Sequence, residues 1–294
     1  MGRRLWYGLA SSRRHETSAS NRVEGLLLVK TCMKEDMAVK KVRYEDMLPY
    51  EIVPARRAKP VAYLPLGGLE WHGEHMAVGN DALKAQRLCE LAAQRGGGLA
   101  MPVLWYGEPR VAGLMEANHD PDGKICKTMK LKRTSFTKNP FGTSADEQLA
   151  FYQALLRHVL IQICTLGFKA IVVVAGHYPI YDWGQPVAQV FNKEHTDCQA
   201  FIGIEFHYDV AALGKGRVGG DHAAKWETSY LMALRPECVD MGVYQDRPAH
   251  EPLIGVGGED PRVHASKQLG AAACDLIVRG MVKKGEQLLK KVTA

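Results

Sequence analysis

The sequence of 294 residues is informative first through what it lacks. No stretch approaches the roughly 18 consecutive apolar residues of a membrane-spanning helix. The seven cysteines are odd in number and scattered, and none forms a C-x-x-C pair. This usage argues against a disulfide framework and a thiolate zinc site, and it is typical of a reducing compartment. We therefore expect a cytoplasmic protein with no membrane partner.

An excess of basic charge is also missing from most of the chain, although the formal net charge is +6. Residues 1–60 contain 13 Lys and Arg against 7 Asp and Glu, whereas the rest contains 25 of each sign. The body of the chain is therefore neutral. Because nucleic-acid-binding surfaces are strongly basic, we expect no nucleic-acid partner.

Residues 1–36 differ in composition from the remainder. The segment from Met1 to Arg22 is rich in Arg and Ser, contains a single acid, Glu16, and lacks an apolar period. Such a composition is found in transit peptides, and the alternative is a disordered or non-native extension. We favour the extension and expect residues 37–294 to form a single domain.

From Val61 onward, apolar strand-like runs alternate with helix-like segments. The first strand ends at Gly67-Gly68, and Ser144 forms a capping box with Glu147 that opens a helix. Strands that alternate with helices indicate a mostly parallel sheet covered on both faces. The predicted strands are Val61–Leu66, Leu99–Tyr106, Lys169–Ala175 and Phe201–Phe206. The predicted helices are Asp81–Arg95, Ser144–Thr165, Trp183–Lys193, Glu227–Leu234 and Val263–Lys291.

One polar segment, residues 107–143, interrupts this alternation. It contains Asp120-Pro121-Asp122-Gly123 and a basic run from Lys127 to Arg133. Loops of this length in compact domains are usually lids, binding loops or interface arms. The basic run would suit a phosphate or carboxylate ligand, or it is a solvated face.

Candidate metal ligands follow the predicted strands. Glu70 and His72 are two residues apart, and in an extended chain both side chains point to the same side. Asp81 comes after a glycine-containing loop that can fold it back. His177 follows the third strand, at the edge where the ligand sites of open α/β sheets gather. Glu227 opens a helix-like segment.

Carboxylates and imidazoles in this combination suit zinc or manganese. Two ions that share a carboxylate would activate a water molecule for attack on a carbonyl group. Each residue alone has another interpretation. Glu70 or Asp81 could be a solvated acid or a helix cap, and His177 could be a structural hydrogen-bonding histidine. The residues alone leave both interpretations open.

The motifs resemble those of the creatininase family. In that family a Gly-x-x-Glu-x-His-Gly-x-His segment precedes an Asp, as in Leu64–Asp81 of this chain. Further similar segments follow in family order, namely Gly176-His177-Tyr178, Asp221-His222, Glu227-Thr228-Ser229 and Asp260-Pro261-Arg262. The similarity covers about residues 40–290. It implies a three-layer α/β/α sandwich, a dinuclear metal site and a homo-oligomer, often a hexamer.

The resemblance also implies the metal ligands. Glu70, Asp81 and His177 would hold one divalent ion. His72, Asp81 and Glu227 would hold the other, so Asp81 would bridge the two. Zinc is the expected metal, and manganese is the alternative.

Further roles follow from the same resemblance. Creatininase itself has a metal-binding acid where this chain has Pro179, so the second ion is assigned to Glu227, as in members that lack that acid. His222 matches a histidine that handles protons and would protonate the leaving group. The residues expected to contact the substrate are Tyr178, His75, Tyr208 and Asp221.

Attack of a metal-bridging hydroxide on a carbonyl would open a small cyclic substrate. The leading function is C–N hydrolysis of a cyclic amide, as in creatinine amidohydrolases. Creatininase clamps its ring with tryptophans, where this chain has Tyr208 and Val218, and the family also contains hydrolases of oxidised inositols. The alternative is therefore C–C hydrolysis of a cyclic diketone, such as a diketo-inositol of the 3-dehydro-scyllo-inosose type. A second alternative is a non-catalytic, metal-stabilised binding protein.

Overall fold

The computed structural model describes residues 41–110, 120, 122–134, 139, 141–208, 220–248 and 251–293. Apart from Lys41, these residues belong to one unit, Val42–Ala294. The predicted extension, residues 1–36, lies outside the described residues, and so do parts of the predicted insert at 107–143.

Helices and strands alternate along the described chain. The helices are α1 (Pro49–Ala58), α2 (Asn80–Gly96), α3 (Lys124–Thr128), α4 (Ala145–Thr165), α5 (Tyr178–Glu194), α6 (Lys225–Leu234), α7 (Pro261–His264) and α8 (Lys267–Thr293). The strands are β1 (Val61–Leu66), β2 (Leu99–Ala100), β3 (Ala170–Ala175) and β4 (Gln199–Gly203). Short 3-10 helices lie at Tyr44–Asp46, Glu205–His207, Pro236–Cys238 and Met241–Tyr244. None of the described helices combines the length and apolar character of a transmembrane span.

The four strands form a parallel sheet in the order β2-β1-β3-β4. β1 and β3 pair along their whole length, from Val61 opposite Ala170 to Leu66 opposite Ala175. Every residue of these two strands is buried, as expected for strands that are covered on both faces.

Side chains along β1 and β3 alternate between two cores. Tyr63 and Val172 face a core that is completed by α2, α6 and α8. Leu64 and Val173 face a second core that is completed by α4 and α5. The predicted three-layer α/β/α sandwich with a mostly parallel sheet is therefore confirmed.

A one-residue shift of register shortens the second strand. The sequence predicts a strand over Leu99–Tyr106, but β2 ends at Ala100. The Met101 N–H donates to the Tyr63 carbonyl, but the next bond to β1 runs from the Leu104 N–H to the Pro65 carbonyl. Three residues of this segment therefore match two of β1, and the regular pairing stops. The chain nevertheless continues beside β1, where Leu104 forms an isolated bridge with Leu66.

Two further boundaries differ from those predicted. α5 begins at Tyr178 rather than Trp183, because Pro179 fits the first turn of a helix, where its missing N–H costs no hydrogen bond. β4 spans Gln199–Gly203 rather than Phe201–Phe206, since the chain turns into a 3-10 helix directly after Ile204.

The predicted C-terminal helix is divided in two. α7 ends at His264 and α8 begins at Lys267. Between them, the hydroxyl oxygen of Ser266 accepts a hydrogen bond of 3.1 Å from the N–H of Leu269. This contact is that of an N-cap, so the second helix starts afresh.

Candidate metal centre

The five predicted ligands meet at the carboxyl ends of β1 and β3. Glu70 and His72 follow β1, and His177 follows β3. Asp81 lies in the first turn of α2, and Glu227 lies in the first turn of α6. β2 and β3 lie on opposite sides of β1. This arrangement makes a topological switch point, where open α/β sheets bind their ligands.

Two glycines allow α2 to approach the strand ends. A Cβ atom on Gly176 would overlap the carbonyl oxygen of Asp81, and one on Gly67 would overlap the backbone nitrogen of Ala82. Any other residue at these positions would push the helix away. Glycine therefore lets the first turn of α2, and with it Asp81, lie against the sheet.

We expect Gly176→Ala to lower the free energy of unfolding by about 1–3 kcal/mol, the usual cost of overpacking. The added methyl group would displace Asp81, so metal binding should weaken as well. Denaturant titration and elemental analysis measure the two effects. Gly257→Ala is the control, since its Cβ would meet only the Cβ of His222 at an ordinary 3.8 Å. Unchanged metal content in Gly176→Ala would contradict the prediction.

Glu70, Asp81 and His177 form the first triad. Their candidate ligand atoms lie within 4.8 Å of one another. His177 Nδ1 is 2.8 Å from Glu70 Oε2 and 3.1 Å from Asp81 Oδ2. The Glu70 N–H donates to the carbonyl oxygen of Val78 at 2.9 Å, which closes the loop that carries Glu70.

His72, Asp81 and Glu227 form the second triad. Their candidate ligand atoms also lie within 4.8 Å of one another. His72 Nε2 is 3.1 Å from Asp81 Oδ1 and 3.5 Å from Glu227 Oε2. Asp81 therefore presents Oδ1 to this triad and Oδ2 to the first one, an arrangement that would allow it to bridge two ions.

A strained backbone helps to orient Glu227. Ala223 has a φ of 53°, in the left-handed region that non-glycine residues rarely adopt. Its N–H donates to Glu227 Oε2 at 2.8 Å. The carboxylate of Asp221 accepts from the backbone N–H of Trp226 at 2.7 Å, which caps α6. These contacts fix the helix start from which Glu227 projects.

His72 is oriented as a metal ligand. Its Nδ1 faces the carbonyl oxygen of Glu70 at 3.1 Å, so the neutral imidazole carries its proton there. Its buried Nε2 faces only the carboxylate oxygens of Asp81 and Glu227 among the contacts that the structure describes. A carbonyl on one nitrogen and a lone pair on the other is the usual arrangement of metal-binding histidines. The residues present therefore fit a divalent ion.

The carboxylates make the centre attractive for cations. Burial lowers the pKa of His72, but the charges of Asp81 and Glu227 outweigh this effect and raise it to about 9. Burial also lowers the pKa of His177, but hydrogen bonds with Asp81 and Glu70 raise it to about 10. Protons and a metal ion compete for ligands of this kind, so metal binding would release protons.

His222, the predicted proton-handling residue, lies beside both triads. Its ring centroid is 4.5 Å from that of His72, and its Nδ1 is 3.7 Å from Glu70 Oε1. Its Nε2 faces the carbonyl oxygen of Trp71 at 2.7 Å, which leaves the lone pair of the neutral ring on Nδ1. Two backbone hydrogen bonds of 2.8 Å with Gly257 hold the residue in place. Nδ1 is therefore the nitrogen on which the predicted role of His222 depends.

Two of the four predicted substrate contacts are occupied by the protein itself. His75 Nδ1 is 3.0 Å from the hydroxyl of Tyr244, and its Nε2 is 2.9 Å from that of Thr228. Tyr208 is buried in the core, and its hydroxyl donates to the carbonyl oxygen of Val173 at 3.2 Å. The polar atoms of both side chains are engaged within the protein, and their contact with a substrate stays a prediction.

The other two predicted contacts line a small cavity beside Glu227. Tyr178 is half exposed at the start of α5 and stacks on Phe206, with 6.0 Å between ring centroids. Burial, together with the charge of Glu227, raises the pKa of Asp221 to about 6. The cavity therefore combines an aromatic wall with acidic groups.

Two charged residues next to the second triad, Lys84 and Glu205, are not among the predicted site residues. Lys84 Nζ lies 2.8 Å from Glu227 Oε1 and also contacts Glu205 Oε1. Lysine is rarely buried to this extent. A signal was available, because Lys84 lies four residues before the apolar Leu88 in the predicted helix, and so on its buried face.

Comparison with known proteins agrees with these motifs. The family Creatininase, described as creatinine amidohydrolase, matches residues 45–119 and 138–294. The chain belongs to the creatininase family. As a member of that family it is a hydrolase, which confirms the prediction that it is an enzyme.

Individual members of the creatininase family are also similar to this chain. Creatinine amidohydrolase of Pseudomonas putida is 29% identical over 201 residues, which are 64% of this chain and 69% of that protein. A crystal structure of creatinine amidohydrolase has a TM-score of 0.62 at 23% identity, covering 84% of this chain and 98% of its own. A creatininase variant described as the Zn-Zn type has a TM-score of 0.60 at 23% identity, covering 83% of this chain and 96% of its own. These structures share the fold of this chain.

Proposed function

We propose that this creatininase-family hydrolase binds two divalent ions and opens a small cyclic amide by cleaving its C–N bond. The observation that carries the proposal is the pair of triads, Glu70–Asp81–His177 and His72–Asp81–Glu227, which share Asp81. Zinc is proposed first and manganese second, since solved creatininase structures are described as Zn-Zn and Mn forms.

The chain itself would hold the ions and move the protons. When bound, the ions supply Lewis acidity that polarises the carbonyl group and lowers the pKa of a coordinated water. His222 Nδ1 takes a proton from the attacking water as its oxygen adds to the carbonyl carbon. The C–N bond then breaks, and Nδ1 returns that proton to the leaving nitrogen. The Trp71 carbonyl keeps the imidazole in the required tautomer through Nε2.

Aromatic side chains beside the second triad support a flat ring as substrate. Tyr178 and Phe206 are stacked there at an interplanar angle of 23°, and they form an aromatic wall. The Trp183 ring lies 6.2 Å from that of His177. Planar rings pack well against such faces, whereas a polyol ring requires many hydrogen-bond partners. A cyclic amide is therefore favoured over an oxidised inositol.

A homohexamer in the cytoplasm completes the proposal. The family resemblance supports the hexamer. The scattered, unpaired pattern of the seven cysteines supports a reducing compartment.

Metal loading followed by a substrate screen tests the proposed function. The full chain, loaded with Zn²⁺ or Mn²⁺, is assayed with creatinine, other lactams, formamides and oxidised inositols. We expect two ions per chain by elemental analysis, and turnover of a cyclic amide that a chelator abolishes and added metal restores. Turnover of oxidised inositols alone would overturn the C–N assignment. Failure to retain metal after loading would overturn the dinuclear centre.

A further inference from the structure

A buried lysine touches the second triad without belonging to it. Lys84 lies in α2, close to one helical turn after Asp81, and its side chain is 1% exposed. Its ammonium group bridges two carboxylates, Glu205 and Glu227. Neither the two triads nor the role of His222 requires a cation at this position.

The two carboxylate oxygens of Glu227 have different partners. Oε1 accepts a hydrogen bond of 2.8 Å from Lys84 Nζ. Oε2 accepts one of 2.8 Å from the Ala223 N–H and faces His72 Nε2 at 3.5 Å. With Oε1 held by the ammonium group, the carboxylate cannot turn, and Oε2 stays directed into the triad.

Glu205 offsets the charge of Lys84. It is buried at the start of the 3-10 helix that follows β4, and it contacts the same ammonium group. The charges of Lys84 and Glu205 cancel, so this pair adds no net charge to the centre. Its effect on a bound ion is therefore mainly one of orientation rather than of repulsion.

We propose that Lys84 is a positioning residue that holds Glu227 with Oε2 ready to bind the second ion, while Glu205 neutralises Lys84. This inference rests on the proposed function, because it requires that the second triad binds metal. It assigns to Lys84 and Glu205 the role that outer hydrogen-bonding partners play at other metal sites.

Replacing Lys84 and Glu205 together, so that the net charge is unchanged, tests the inference. Lys84→Met together with Glu205→Gln removes one charge of each sign, whereas Lys84→Met alone would leave two buried carboxylates without a cation. Zn²⁺ is titrated into the full chain against a competing chelator, and two successive dissociation constants are measured. We expect the dissociation constant of the ion in the second triad to rise roughly 10–100-fold. The dissociation constant of the ion in the first triad should stay unchanged.

A matched control removes an ion pair elsewhere on the same helix. Arg95, in α2, pairs with Asp275, in α8, at 2.7 Å on the surface. Arg95→Met with Asp275→Asn should leave both constants at the wild-type values. If the Lys84→Met/Glu205→Gln protein does not fold by circular dichroism, Lys84→Met with Glu205→Leu replaces it, since buried ion pairs are often exchanged for apolar pairs without loss of stability.

The outcomes separate this inference from the proposed function. Fewer than two ions on the wild-type chain would overturn the proposed function before any variant is compared. Two ions on the wild type and an unchanged second constant in the double variant would overturn the role of Lys84 alone. Equal weakening of both ions would also overturn it, because it would indicate a general disturbance of the centre.

Discussion

Asp81→Asn is expected to lose both metal ions together and, with them, catalytic turnover. Asp81 Oδ1 faces His72 Nε2 at 3.1 Å, and Oδ2 faces His177 Nδ1 at 3.1 Å. An amide has one oxygen and no charge, so it cannot bridge two cations. The dissociation constant of each ion should rise by more than the roughly 10–100-fold that follows the loss of a residue hydrogen-bonded to a metal ligand. We expect kcat to fall by at least about 10³-fold, because the bridged ions act as a unit.

Glu74→Gln is the matched control for this substitution. Glu74 lies in the loop that precedes α2 and pairs with Arg247 at 2.6 Å, outside both triads. The substitution makes the same change of charge but should keep both ions. Elemental analysis after dialysis and kcat are measured on the same preparations. If Asp81→Asn retained either ion with wild-type affinity, Asp81 would not be the bridging ligand.

His222→Ala is expected to keep both ions and to lower kcat by roughly 10²–10⁴-fold, the usual range for one general acid or base. The physical reason is the position of its Nδ1 lone pair, which faces Glu70 Oε1 at 3.7 Å while Nε2 is held by the Trp71 carbonyl. Without the imidazole, no group at that position can return a proton to the leaving nitrogen.

Two further variants separate proton transfer from a structural role of His222. His222→Gln can still donate to the Trp71 carbonyl but cannot carry a proton, so its kcat should be as low as that of His222→Ala. His264→Ala, on the exposed surface of α7, should behave like the wild type. If His222→Ala lost metal as well as turnover, the role of His222 would be to hold the metal ligands in place. If His222→Ala kept both ions and a near-normal kcat, both the proton-transfer role and the structural role of His222 would be contradicted.

Much of the fold follows from local patterns. Four consecutive apolar residues, Ile171–Val174, predict a buried strand, and β3 covers them. Ser144 and Glu147 predict the start of α4, and their reciprocal hydrogen bonds are present. Such patterns depend on neighbours within one turn or one strand, so a sequence can be interpreted without knowing the rest of the chain.

Errors arose where one residue changes the backbone. β2 ends early, since one extra residue between Met101 and Leu104 breaks its register with β1. Ser266 divides the C-terminal helix, because its hydroxyl accepts from the Leu269 N–H while its own backbone N–H donates to the hydroxyl of Ser229. The second contact joins residues far apart in the sequence, so no local pattern contains it.

The sequence by itself determined the class of sheet, the creatininase-like motifs and the identity of the candidate ligands, because residue type and spacing carry that information. Only the tertiary structure decided which side chains meet. It joins α2 to the ends of β1 and β3 through Gly67 and Gly176, and so directs Asp81 toward both triads. The tertiary structure also brings Lys84 into contact with Glu227 and buries Tyr208 in the core. These outcomes depend on packing between distant segments, which the order of residues along the chain does not display.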